Sequence, residues 1–472
     1  MGHGFCTGID KRKPGEQQAA CYQHDHVASG QSVAELIGNG LAGSCVKWSM
    51  KTMSKEVLVC GAGMVGVSIA LELQRRGMQV TLIDRRDPGM ETSHGNAGII
   101  TRTSLVPINN PTLWGQLPKL MLNRSTSFRY SNLFMMKNIG WGLGFLRRAT
   151  ASGFRETSEA LFDLIELSRG EHARLKEEAG AGHLFHDDGW LFVYRSLADY
   201  ESAAFSHEAY RAHGLEMEVI EEADIQAYDR GLKPIFKKGL WVKDTWSVRD
   251  PTLLVEAYAG LFVARGGRLL RFNLASLQQE GDGWVARSEE GAALSADDAV
   301  IALGPWAKSF LKRLGYHVPM GFERGYHMLY SGPKAGEGIS VTRPYYDVSG
   351  GYVLAPMQGG LRLCTGVELT ELDAPKNFQQ LNAAEAAARD AIDLGERLLD
   401  EAWMGSRPTM PDCRPVIGPA PGRKGLHFAF GHQHVGFNTG PGTAKILADQ
   451  IEGRDNNKIA EPFAPERFIL PV

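Results

Sequence analysis

The segment EVLVCGAGMVGVSIALELQRRGMQVTLID, residues 56–84, constrains this chain more than any other stretch. An apolar run ends in glycine, a helical pattern carrying Ile69, Leu71 and Leu73 follows, and QVTLI forms a second apolar run. The pattern predicts a strand at 56–60, a helix over 65–77 and a strand at 79–83, a βαβ start. Gly61, Gly63 and Gly66 fit G-x-G-x-x-G. The first permits the tight turn, the second lets the backbone approach a pyrophosphate, and the third lets helix and strand pack closely. The helix N-terminus then offers free N–H groups and its positive end to the phosphates. Asp84 stands 23 residues after Gly61, where a carboxylate accepts hydrogen bonds from a ribose hydroxyl pair and repels a 2′-phosphate. Val65 in the turn and Arg85 beside the acid complete the contacts expected here. The turn by itself does not choose between FAD and NAD.

Size and charge bound the rest. The chain has 472 residues, a formal net charge of −3, 43% apolar and 22% charged residues, the profile of an ordinary globular protein. That balance argues against a nucleic-acid footprint. No run of 18 apolar residues predicts a membrane span. The six cysteines form no CxxC pair, zinc pattern or disulfide framework, so a reducing cytoplasm is the simplest location and no metal is expected. Residues 1–52 are polar and aperiodic and lack a secretory signal's apolar core, so they read as a disordered or mis-started leader. Cys21, His24 and His26 within it are read as part of that leader and not as a metal site. The folded protein is expected to begin at Met53.

Further along, a charged, exposed helix pair is expected at 155–180, a helix from Asp250–Pro251 onward, strand candidates through 268–303, antiparallel strands at 316–370 and a helix at 382–400. The nucleotide domain therefore reads as discontinuous, built from 53–105, 245–315 and 395–472. Residues 106–244 and 316–394 read as an inserted substrate domain, largely antiparallel β.

Two features favour a flavin. The loop TSHGNAGII after the second strand brings Thr92, Ser93, Asn96, Ala97 and Gly98, small and polar groups able to wrap a pyrophosphate and a ribityl chain. The C-terminal stretch FGHQHVGFNTGPGTAKILADQI opens a helix near Pro441 from a glycine-rich loop, with Gly442 and Thr443 at its start. A helix N-terminus stabilises negative charge on a reduced ring system. Gly436, Phe437, Asn438 and Thr439 are expected at the flavin edge, and Gly304, ending a strand candidate, at the dinucleotide.

With these motifs, the ERGYH stretch at 323–327 and GSRPTMPDCRPVIGP at 405–419, the chain resembles the D-amino-acid dehydrogenase branch of the glycine oxidase/D-amino-acid oxidase group of FAD-dependent amine oxidoreductases. The resemblance covers nearly all of 54–460. It implies an α/β, Rossmann-like FAD-binding domain of the DAO type with the inserted β domain, non-covalent FAD, and oxidation of an amino acid at the Cα–N bond. Many relatives carry Glu where this chain has Asp84, a shorter reach to the same ribose.

The implied chemistry is hydride transfer from Cα to flavin N5. The protein must hold the Cα–H in place, fix the carboxylate and exclude water. An Arg fork fixes a carboxylate best. The resemblance assigns that role to Arg407, the alternative being a salt bridge with Asp412. His434 is placed at the substrate, while His432 supports the loop. Arg324 and Tyr326 in ERGYH are expected to supply a donor or a lid, against a purely structural strand edge. Tyr352 and Arg362 rank lower, with a surface position in the β domain as the alternative. Met135, Met136 and Trp141 form an apolar patch with basic flanks. Core or dimer packing competes there with peripheral contact on the inner face of the plasma membrane, where a quinone waits. The expected partners are an amino or imino acid substrate, cyclic D-proline types included, and a quinone or protein acceptor. The competing readings are an oxygen-using glycine or sarcosine oxidase and an FAD subunit of a larger dye-linked dehydrogenase. Oligomeric state is left open.

Overall fold

The computed structural model describes residues 54–123, 125–333 and 341–469. Expectations for residues 1–52, including Cys21, His24 and His26, lie outside the described residues.

The first strand, Glu56–Cys60, is flanked by Gln79–Asp84 on one side and Asp298–Ile301 on the other, both parallel. Arg268–Arg271 extends the sheet beyond Gln79–Asp84, and Leu426–Phe430 extends it beyond Asp298–Ile301. An antiparallel edge strand, Val416–Pro419, completes six strands. Helices cover this sheet, so its central strands read as unbroken apolar runs and not as alternation. The first helix, Met64–Arg75, packs on one face together with Pro251–Ala264 and the C-terminal helix Gly436–Ile451. A three-stranded antiparallel meander, Leu274–Glu280, Gly283–Ser288 and Ala293–Ala296, precedes Asp298–Ile301.

A second, mixed sheet has ten strands. At its centre Gly321–Tyr330 pairs with Gly360–Thr365 and Val367–Leu369 on one side and with Trp403–Thr409 on the other. Trp403–Thr409 falls in the segment that the sequence assigns to the nucleotide domain. Its full register with Gly321–Tyr330, from Thr409 opposite Gly321 to Trp403 opposite His327, places it in the second sheet. The expected helix pair at 155–180 is instead one helix of 28 residues, Ala151–Glu178. Ala160, Leu161, Leu164, Ile165 and Leu175 recur at helical spacing and are buried, and Leu164 and Leu175 join the core around the first helix.

The C-terminal helix begins at Gly436, earlier than the sequence suggests, and contains Pro441. A proline inside a helix removes one N–H and leaves the carbonyl four residues back without its donor. Here that carbonyl, Phe437 O, accepts from His172 Nε2 at 3.1 Å. Ser168 Oγ donates to Asn438 O at 2.6 Å and accepts from Gly442 N at 3.2 Å. Two side chains of the long helix thus satisfy the broken turn. A Cβ on Gly442 would lie 2.7 Å from Leu164 O, so glycine here serves close helix packing and not the helix start. No helix among the described residues is long and apolar enough to cross a membrane.

Candidate active site

A cavity of about 790 Å³ runs between the two sheets, a size suited to a cofactor-sized ligand. At one end Gly61 adopts φ +110°, and a Cβ there would meet the Ala302 carbonyl. A Cβ on Gly66 would overlap the Gly61 carbonyl, so these glycines are required by close approach of helix and strands. Gly61, Gly63, Val65 and Asp84 line the cavity, whereas Gly66 lies behind them. Asp84 Oδ2 accepts from Ala62 N at 2.7 Å and Oδ1 from Arg86 N at 2.9 Å. The acid thereby locks the turn as well as facing the cavity. Burial pushes its carboxyl above the ordinary value, against those two N–H bonds. Arg85 also lines the cavity, stacks over Trp306 at 4.5 Å and pairs with Glu91 at 2.7 Å.

The loop after the second strand forms the next part of the wall. Thr92, Ser93, Asn96 and Ala97 line it. Ser93 Oγ accepts from Met64 N at 3.2 Å, tying the loop to the first helical turn. Asn96 Oδ1 accepts from Gly98 N at 2.8 Å. Gly98, at φ +71°, packs its backbone on Val248 and does not line the cavity. Gly304, also left-handed at φ +53°, closes the opposite wall. Gly436 and Phe437 line the cavity where the C-terminal helix begins, with its positive end on that side. Asn438 and Thr439 are turned inward instead: Asn438 Nδ2 donates to Thr101 O at 2.7 Å and Thr439 Oγ1 to Val435 O at 2.9 Å. A glycine cradle, a carboxylate at the end of the second strand and two helix N-termini along one cavity fit a dinucleotide such as FAD.

Arg407 lines the other end. Its guanidinium lies over Gly325, where a Cβ would come within 2.5 Å of Nη2. Nη1 donates to Gly366 O at 3.4 Å, and Arg407 forms no ion pair among the described residues. The alternative partner, Asp412, is engaged by Arg414 at 3.0 Å and Arg467 at 2.9 Å. His434 opens onto the cavity and its ring is exposed there; crowding by the surrounding protein, and secondarily the Arg407 charge, lowers its pKa to about 4 and favours the neutral ring. His432 is buried behind it, with Nε2 3.0 Å from Thr443 Oγ1.

Arg324 is not brought to the site. It is 1% exposed, and its guanidinium donates to the carbonyls of Glu371, Leu372, Ala374 and Pro375. Tyr326 touches the cavity wall, but its hydroxyl donates to Glu368 Oε2 at 2.8 Å and accepts from Asn377 N at 2.9 Å. Neither hydroxyl nor guanidinium is available to a substrate. Tyr352 and Arg362 are buried and not on the surface. Arg362 Nη1 donates to His94 O at 2.9 Å and Asn96 O at 2.7 Å, pinning the loop 92–98. Trp141 is core, with Nε1 donating to Thr409 O at 2.9 Å, while Met136 is 71% exposed.

Sequence reasoning missed Arg362 in this role, and also Trp403 and His327. The rings of Trp403 and His327 stack at 4.9 Å, and a Cβ on Gly95 or Gly405 would fall on the indole. The paired glycines in SHGN and MGSR were the available signal: each faces a ring.

A family model described as FAD dependent oxidoreductase matches residues 56–450, and a second, pyridine nucleotide-disulphide oxidoreductase, matches residues 8–101. The D-amino-acid oxidase of Bradyrhizobium diazoefficiens is 28% identical over 88% of this chain and 99% of its own length. The D-amino acid dehydrogenase of Granulibacter bethesdensis is 28% identical over 85% of this chain and 97% of its own. Glycine oxidase from Geobacillus kaustophilus aligns in three dimensions with TM-score 0.66 at 18% identity, covering 87% of this chain and 98% of that one. L-Proline dehydrogenase from P. horikoshii aligns with TM-score 0.66 at 18% identity, covering 88% and 98%. With its glycine cradle, its acid at the second strand and its two-sheet cavity, this chain belongs to the DAO family of FAD-dependent oxidoreductases.

Proposed function

We propose that the chain oxidises a D-amino acid, or a cyclic D-imino acid of the proline type, at the Cα–N bond and passes the electrons to a quinone or another acceptor. The observation that carries this reading is Arg407: a guanidinium in the cavity wall with one long bond to a carbonyl and no carboxylate partner among the described residues. Such a fork binds a substrate carboxylate in two parallel hydrogen bonds. Neutral His434 beside it accepts a hydrogen bond from the substrate amine without adding charge next to Arg407. The acids that line the cavity are Asp84, Glu91 and Glu289. Glu91 pairs with Arg85, and Glu289 bonds Asn273 next to the backbone contact of Phe272 with Asp84, so all three lie at the ribose end. The chain therefore orients and desolvates a neutral amine instead of supplying a strong base. FAD, when bound, accepts the hydride from Cα.

The acceptor reading rests on the segment 92–155. It holds eight Lys or Arg and no Asp or Glu, in a chain of net charge −3. Trp114, Met121, Leu122, Leu133 and Ile139 in it are exposed, while Leu113, Leu120 and Phe145 line the cavity. An apolar, cationic surface continuous with the cavity suits peripheral contact with an anionic bilayer that carries a quinone. Oxygen as acceptor is the second reading, favoured by the name of the Bradyrhizobium relative.

The test is an anaerobic titration of the FAD-loaded protein with D- and L-amino acids, D-proline included. Bleaching by D-substrates, with slow recovery in air and fast recovery with a quinone analogue, is expected. Bleaching by L-amino acids alone overturns the substrate reading, and fast recovery in air with peroxide moves the acceptor to oxygen.

A further inference from the structure

One row of side chains crosses the cavity-facing side of the second sheet. Trp403 stands opposite His327, His327 opposite Cys364, Cys364 opposite Val353, and Val353 opposite Tyr346. Directly opposed residues of an antiparallel pair share a face, so these five belong to one surface. Gly325 and Arg407 lie on the same face, two residues from His327 and four from Trp403 along their strands. Trp403, Cys364, Val353 and Tyr346 line the cavity, and Trp190 closes the row with its ring 6.3 Å from that of Tyr346.

The Arg407 guanidinium already reaches across Gly325 to the carbonyl of Gly366, two residues after Cys364. Val353 is then one strand further, about 5 Å, and Tyr346 two strands, about 10 Å. A substrate held by its carboxylate at Arg407 extends its side chain along this row. Ser127, Thr365, neutral His434, the His327 imidazole, the Trp190 indole N–H and the aromatic hydroxyls are polar groups there; apart from Arg407, no Lys, Arg, Asp or Glu side chain among the described residues lines this end. Arg313, another cavity cation, donates to Ala275 O beside the ribose end. A charged substrate side chain would lose its hydration here and gain no partner.

We propose that this pocket selects neutral amino acids with apolar or aromatic side chains, and that Val353 and Tyr346 set the choice. This rests on the reading of Arg407 as the carboxylate anchor. The experiment has two arms. In the first, flavin reduction is followed with D-leucine, D-phenylalanine, D-glutamate and D-lysine. The apolar pair is expected to exceed the charged pair in efficiency by more than about 100-fold. In the second, thermal shifts are measured with unreactive carboxylates that differ at the far end. 4-Methylpentanoate and phenylacetate are expected to stabilise the holoenzyme, and glutarate and 6-aminohexanoate are not.

Tyr346→Arg is expected to raise efficiency with D-glutamate at least about tenfold and to lower it with D-leucine, by giving the far carboxylate a partner. Val353→Ala, which only removes methyl groups, is expected to shift preference from D-leucine toward D-phenylalanine and keeps the test open if Tyr346→Arg does not fold. D-Glutamate or D-lysine reducing the flavin as well as D-leucine overturns the pocket assignment and leaves the function standing. If no D-amino acid reduces it, the functional reading fails while the thermal shifts still decide the pocket: equal stabilisation by glutarate and 4-methylpentanoate overturns it.

Discussion

On the strand Gly321–Tyr330, the Arg324 guanidinium and the Tyr326 hydroxyl turn toward the loop 371–375 and the start of the helix Gln379–Ala391, whereas Glu323, Gly325 and His327 share the other face, opposite Arg407, Gly405 and Trp403, where Gly325 lines the cavity. The first set is engaged: Arg324 holds four carbonyls, and Tyr326 bridges Glu368 and Asn377 and packs its ring against Phe378 at 5.7 Å. The second set makes room. Gly325 has no side chain, so the Arg407 guanidinium lies across it. Glu323 is buried beside them, with Oε1 accepting from Thr409 Oγ1 at 2.7 Å and its carboxyl pushed up by burial. Two neighbouring residues of one strand thus belong to different problems, one to holding the fold and the other to shaping the site.

The sharpest way to test this division is Arg407→Ala. Loss of a charge-assisted fork costs about 2–5 kcal/mol, so kcat/KM is expected to fall on the order of 1,000-fold while the thermal midpoint stays close to the parent's. Steady-state kinetics beside a melting curve measure both; an unchanged KM would remove Arg407 from substrate binding. Gly325→Ala comes next. Its Cβ displaces the end of a flexible side chain, so the protein folds, but the misplaced guanidinium is expected to cost roughly 10- to 100-fold in kcat/KM, mostly through KM.

Arg324→Met is the counterpart on the other face. Buried carbonyls without donors cost about 1–3 kcal/mol, so the melting temperature is expected to drop by several degrees with KM unchanged. A raised KM without loss of stability would put Arg324 in the site after all.

The smallest effect is on pH. Burial lowers the pKa of His172 to about 4, of His432 to about 3 and of His327 to about 2 from an ordinary 6.5. Below 6.5 the unfolded chain binds protons that the folded chain does not, so stability falls as pH drops toward 4 and is flat above about 7. His172→Gln is expected to shallow that decline in melts between about pH 7 and pH 5, although it also weakens the support of Phe437 O and lowers stability at neutral pH. A decline of the same slope would assign the acid sensitivity to other groups.

Legibility in the sequence followed the range of the contacts. The glycine turn reads directly because its parts interact within about thirty residues of chain: Asp84 with Ala62, and Gly66 with Gly61. Loop 92–98 reads as a cofactor loop from its small polar residues. Its anchor is invisible, because Arg362 arrives from a strand more than 260 residues away. The sequence puts the start of the C-terminal helix near Pro441 and the structure puts it at Gly436, because Ser168 and His172, on a distant helix, allow the helix to run through that proline.

The chain's own pattern determined the βαβ start, the acid at the end of the second strand and the dinucleotide class, and the family resemblance pointed to the Arg in GSRP, which lines the cavity. Tertiary structure alone decided which residues of ERGYH face the site. A strand covered on one side usually reveals its phase by alternating apolar and polar residues. Gly321–Tyr330 is buried on both faces, with nine of its ten positions buried and the tenth half-buried, so either phase was consistent with the sequence. The register with Trp403–Thr409 and the space that Gly325 leaves for Arg407 fixed the phase, and with it the face that carries Arg407 into the cavity wall.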